Sequence, residues 1–190
     1  MQWGGTGDAE AFADVEQLAR DQILAHLEKN FRGHELARLV DPVLQAEGYV
    51  TQFSPPGPDG GVDILAGRGS QGLDAPRMCV QVKSPQADVN VFRALQGTMT
   101  TFQADRGLLV SWGGFTKAVQ TEARLSFFSV RLWGAEELVE ALLRNYDWLP
   151  EEFRAETPRA RRGPAGPGPG VGWPFGGSGE VVAGDDRAEP

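Results

Sequence analysis

Asp63, Gln81 and Lys83 bring together a carboxylate, an amide oxygen and an ammonium, a set suited to work on a phosphate. Gln81 and Lys83 lie two apart in Met78-Cys79-Val80-Gln81-Val82-Lys83, where apolar and polar residues alternate. On a strand their side chains share a face. Asp63 follows the turn Gly60-Gly61 on a second apolar segment, Val62 to Leu65. If the two segments are neighbours, the three groups converge. A hard cation such as Mg²⁺ (or Mn²⁺) takes oxygen ligands and keeps several waters. Asp63 offers it a charged oxygen, Gln81 a neutral one, and the Val82 backbone carbonyl a third. Such a cation acidifies water and offsets charge on a phosphate. Lys83 can hold the attacking water and stabilise the same charge. The same residues admit a plain structural reading: Asp63 caps the turn, and Gln81 and Lys83 face solvent on an edge strand. Spacing does not choose between the two.

The remaining polar candidates are weaker. Asp59 is expected to shape its turn rather than bind a metal. Ser84 can touch a phosphate, or simply end the strand with Pro85. Arg68 and Arg77 sit in a polar stretch where they can meet a phosphate backbone or stay solvated. His26 and His34 fall on different segments, and Cys79 is the single cysteine, so no Cys/His set for zinc exists. Gly67-Arg68-Gly69 lacks the Gly-Lys-Ser/Thr of a phosphate loop.

The elements that must position these residues follow from periodicity. A helix is expected over 9–29. A second, over 34–46, has Leu36, Leu39, Val40, Val43 and Leu44 on one face. Pro42 makes a kink, or a restart at Asp41, expected there. Tyr49–Phe53 reads as a strand, Val62–Leu65 as a second, 66–77 as a Gly-rich loop, and Met78–Lys83 as a third strand. Asp88 caps a helix to about Gln103. A strand around Leu108–Val110, a helix capped by Thr116, a strand Val130–Trp133 and a helix over 135–146 complete the order. The predicted fold is α/β, a central mixed five-stranded sheet flanked by helices.

The net charge of −8 argues against a uniformly DNA-binding surface. Its distribution softens the objection. Residues 1–30 carry −4 and residues 134–156 carry −5, whereas residues 31–133 carry +1. No run of 18 uncharged apolar residues exists, so no membrane span is expected. The acidic N-terminus lacks a signal-peptide pattern, and the lone cysteine excludes an internal disulfide; a cytoplasmic location is expected. From Thr157 the chain is dense in Gly and Pro, so 150–190 is expected to be a disordered tail, with Trp173 and Phe175 as stray aromatics.

The run Gly57-Pro58-Asp59-Gly60-Gly61-Val62-Asp63-Ile64, followed by Val80-Gln81-Val82-Lys83, resembles the Mrr-type restriction endonucleases of the PD-(D/E)xK nuclease superfamily. Val110-Ser111-Trp112-Gly113-Gly114-Phe115-Thr116 and Val130-Arg131-Leu132-Trp133 resemble later segments of the same family. The likeness runs from about Phe31 to Leu149, giving a helical arm over 1–30, a nuclease domain over 31–149 and the tail. The resemblance implies a restriction-endonuclease-like core and divalent-metal-dependent cleavage of DNA, in some members methylated DNA. It implies Asp63 and Gln81 as metal-side residues and Lys83 as the catalytic lysine; Gln in place of the usual acid is typical of this branch. Arg68, Arg77 and Ser84 become candidate DNA contacts. Many relatives carry an acid on the first helix. Here that register falls on Leu36-Ala37, and Glu35, two positions off, is expected to be a surface acid. The alternative functions are a DNA-binding module without catalysis and a nuclease subunit that depends on a partner for target recognition. A homodimer would supply two cutting sites.

Overall fold

A computed structural model describes residues 6–54 and 61–156 of the chain. Five strands form one sheet in the order β1-β2-β3-β4-β5: β1 Val50–Phe53, β2 Ile64–Arg68, β3 Asp74–Lys83, β4 Arg106–Ser111 and β5 Val130–Trp133. The first three are antiparallel neighbours. The last three are parallel, β4 to β3 and β5 to β4. The sheet is therefore mixed and flanked by helices, as expected.

Two hydrophobic clusters cover its faces. Ile64, Val80, Val82, Leu108 and Val110 pack under α1 (Thr6–Asn30), α2 (His34–Ala46) and α5 (Ala135–Asn145). Cys79 and Leu109 pack under α3 (Val89–Thr101) and α4 (Lys117–Leu125), with Phe92, Leu95 and Val119. Strand alternation assigns odd and even residues of β3 to opposite layers. Parallel strands need crossovers, and these give the sheet two chemically distinct ends. At one end β3, β4 and β5 finish, β2 begins, and α2, α3, α4 and α5 start.

Several expected boundaries shift. The stretch 66–77 is a hairpin rather than a loop: β2 runs on to Arg68 and β3 starts at Asp74, with a register shift between Ala66 and Arg68. Glycine makes this tight hairpin possible, because a Cβ on Gly67 would lie 1.8 Å from the Gly72 carbonyl oxygen. Asp63 stands just ahead of β2 rather than inside it. α2 does not restart at Asp41. The helix runs through Pro42, whose ring is buried with the apolar face. The helix of the expected arm packs on the core, with Ile23 and Leu27 buried in the larger cluster. Part of the expected tail is ordered. Helix α6 (Glu151–Glu156) follows α5, and Phe153 packs against the core. Asp59, Trp173, Phe175 and the rest of 157–190 lie outside the described residues. Among the described residues, no helix is long and apolar enough to cross a membrane.

Candidate active site

Asp63 is held at two points of β3. Its N–H donates to the Val80 carbonyl at 2.9 Å, and its Oδ2 accepts from the Val82 N–H at 2.7 Å. The carboxylate thus replaces the next ladder bond just where β2 begins. Gln81 lies between those two anchors. The local sequence explains the geometry. Gly61 adopts φ +81°, which only glycine takes at no cost, and turns the chain into β2. A Cβ there would stand 3.4 Å from Gln81 Nε2, so the turn closes on the amide.

Gln81 is 5% exposed. It pairs in register with Leu109 and faces the α3–α4 layer, as does Cys79 two residues earlier. Burial there pushes the Cys79 thiol up to about 11, so the cysteine is an inert neighbour. The Gln81 Oε1 is buried and has no hydrogen-bond partner among the described residues. Polar atoms in a protein interior are ordinarily paired, so such an oxygen calls for a ligand. Lys83 follows on the same face, half-buried, at the end of β3 opposite Ser111. Its carbonyl accepts from the Trp112 N–H. Ladder bonds alternate in direction, so the Val82 carbonyl points away from β4, to the side of the Asp63 carboxylate.

Oxygen donors of three kinds therefore stand on neighbouring positions at the end of β3: the Asp63 carboxylate, the orphaned Gln81 amide and the Val82 carbonyl. The set fits a hard divalent cation that keeps some of its waters. The charge supplied is small. Among the described residues no three His, Cys, Asp or Glu side chains cluster in a way that could hold a metal ion. Glu35 does not supplement it. Its carboxylate is 51% exposed and pairs with Arg38 at 3.2 Å, while Ala37 is buried.

The other candidates separate from this cluster. Ser84 Oγ accepts from the Gly33 N–H at 2.5 Å and pins the α1–α2 junction to the end of β3. Arg68 is five residues along β2 from Asp63, roughly 17 Å away at strand rise. It donates to the Glu47 carbonyl at 2.8 Å and lies 3.9 Å over the Tyr49 ring. Arg77 is six residues before Lys83, roughly 20 Å away, and pairs with Asp105. Both arginines belong to the opposite end of the sheet. Sequence reading treated 66–77 as one loop, and in a hairpin its flanking residues are carried away from Asp63.

The family model Mrr_cat, a restriction endonuclease family, matches residues 28–142, more than half of the chain. The chain belongs to this family. No curated protein matches its sequence. Among solved structures, the chain is similar to the DNA modification-dependent restriction endonuclease AspBHI, with 15% identity over 75% of this chain and 38% of that one, TM-score 0.50. It is also similar to the MspJI restriction endonuclease in complex with a 27-mer oligonucleotide, with 20% identity over 80% and 34% and TM-score 0.41. A repair endonuclease from Pyrococcus abyssi gives 18% identity over 52% and 44%, TM-score 0.38. At such identity the AspBHI likeness speaks for the fold alone. The Mrr_cat chain spans less than half the length of each of these three structures.

Proposed function

We propose that the chain is a divalent-metal-dependent endodeoxyribonuclease that hydrolyses DNA phosphodiester bonds in the restriction of foreign DNA, methylated DNA included. The observation that carries this reading is the buried, unpartnered Gln81 Oε1 between the two points that anchor Asp63, with Lys83 next on the same face. Family membership supports the same chemistry. The modification dependence printed for AspBHI motivates methylated DNA as a substrate to be tried.

Asp63, the Gln81 amide oxygen and the Val82 carbonyl would hold Mg²⁺ or Mn²⁺. When bound, such an ion supplies Lewis-acid charge that acidifies water and offsets charge on the phosphate. The Val82 N–H fixes the Asp63 carboxylate through Oδ2 and leaves its rotamer little freedom. Lys83 orients the attacking water and donates to a phosphoryl oxygen as negative charge builds there. The new P–O bond forms from water as the bond to the leaving sugar oxygen breaks. A homodimer or a separate target-recognition subunit would provide the second cut or the choice of site.

A second reading, a DNA-binding module without catalysis, draws on the thin charged set around Asp63. One assay separates the two. Methylated and unmethylated plasmids are incubated with the protein in Mg²⁺ or in EDTA. Nicking or linearisation that needs Mg²⁺ and falls at least a hundredfold in Lys83→Ala is expected, the scale of losing one preorganised charge contact. Cleavage that survives Lys83→Ala would sink the assignment. Binding without cleavage would favour the module.

A further inference from the structure

The chain has three lysines, Lys29, Lys83 and Lys117. All three come to the end of the sheet that carries Asp63. Lys83 closes β3. Lys117 opens α4, directly after the turn whose Phe115 bridges Ala87 and whose Thr116 caps the helix. Lys29 stands in the last turn of α1, beside the junction that Gly33 ties to Ser84. None of the three takes part in an ion pair among the described residues. Lys29 and Lys117 are exposed, and they belong to the two opposite layers that enclose β3.

Several arginines are used differently, although Arg32 and Arg124 are exposed and absent from any ion pair among the described residues. Arg38, Arg77, Arg93 and Arg144 are ion-paired, to Glu35, Asp105, Glu122 and Glu140. Arg68 and Arg131 lie over the Tyr49 and Phe127 rings. Two carboxylates near the lysine end are engaged internally, Asp88 by N–H groups of its own helix and Glu137 by the Gly134 N–H, while Glu28 and Glu136 are exposed. A chain of net charge −8 thus keeps its three lysines out of ion pairs among the described residues. A lysine ammonium is a hydrated point charge that follows a phosphate without demanding fixed geometry.

We propose that Lys29 and Lys117 flank Lys83 as a cationic rim that holds the phosphate backbone of duplex DNA across the end of the sheet. They act as positioning residues that read no sequence. The inference rests on the nuclease reading for its choice of ligand, and binding can be measured apart from cleavage.

The test is fluorescence anisotropy of a labelled random-sequence DNA duplex in EDTA over a range of salt. Each neutralised phosphate contributes a slope of about 0.9 to the fall of log K with log salt. Lys29→Gln and Lys117→Gln are each expected to reduce the slope by about one and to weaken binding up to about tenfold near 0.1 M salt. Lys117→Arg is expected to restore the slope. Arg124→Gln is the control. It removes an exposed charge, absent from any ion pair among the described residues, at the other end of the same helix, and is expected to leave the slope unchanged. An unchanged slope in both lysine variants, or an equal drop in Arg124→Gln, overturns the rim. A wild-type protein that fails to bind the duplex overturns the rim, while the nuclease reading stands or falls by the Mg²⁺-dependent plasmid cleavage. Slopes that fall as expected in a protein that never cleaves uphold the rim and remove only the nuclease.

Discussion

A buried acceptor left without a partner costs a folded protein about 1–3 kcal/mol. The Gln81 Oε1 is such an atom among the described residues, and its position beside Asp63 gives the cost a purpose. The consequence is testable as a conflict between stability and activity. Gln81→Met keeps the length of the side chain and removes the oxygen. We expect the metal-free variant to gain about 1 kcal/mol, a rise in Tm of roughly 2–4 °C, while Mg²⁺-dependent cleavage is lost. Mg²⁺ should raise the Tm of the wild type and leave that of the variant unmoved, because only a site that binds the folded state shifts the melt. A variant that melts several degrees lower would show that Oε1 is satisfied in solution. Residue types alone suggested Gln81 as a ligand. Its burial did not follow from them, since the alternating pattern around it fits an exposed edge strand equally well, and the covering layer of Phe92, Leu95 and Val119 comes from helices distant in sequence.

At the scale of elements, local signals were read well and their limits less so. Asp88 and Thr116 cap α3 and α4 as expected, because a side-chain oxygen ahead of an apolar-periodic run satisfies orphan N–H groups whatever lies beyond. The β2–β3 hairpin was hidden because its glycines look like loop. Its pairing comes from neighbouring strands, and the Gly67–Gly72 approach is a tertiary contact. Pro42 is tolerated inside α2, where its ring is buried with the apolar face. Two carboxylates at element junctions also give the fold a pH dependence. The Val91 N–H, then that of Asn90, holds the Asp88 carboxyl below the usual carboxylate range. The Arg77 N–H does the same for Asp105. Their folded values lie below the unfolded value of about 3.9. Each therefore adds stability that is present above that pH and lost as pH falls through the folded value. Urea midpoints measured from pH 7 down to 3 should fall below about pH 4. Asp88→Asn and Asp105→Asn should each start lower or level and show a shallower drop. A wild-type curve that stays flat to pH 3 would contradict this.

At the scale of the molecule, the stable unit is larger than the family match. Residues 28–142 exclude Ile23, Leu27, Leu149 and Phe153, all of which belong to the larger cluster or pack against it. Ile23 and Leu27 are 1% and 0% exposed, and α1 packs against α5. Cutting at either boundary would remove members of the cluster that also holds Val139 and Leu142. The core therefore depends on a helix that the family pattern barely touches, the helix whose last turn carries Lys29. Leu27→Ala tests the dependence without truncation. Removal of a fully buried leucine side chain is expected to cost about 2–5 kcal/mol, the spread reflecting how far the site collapses. The measurement is the denaturant midpoint at unchanged m-value. A loss below about 1 kcal/mol would mean that α1 docks weakly and the family boundary is the true edge of the fold. The fragment 28–142 should then melt like the full chain; on the packing described, it should instead expose apolar surface and aggregate.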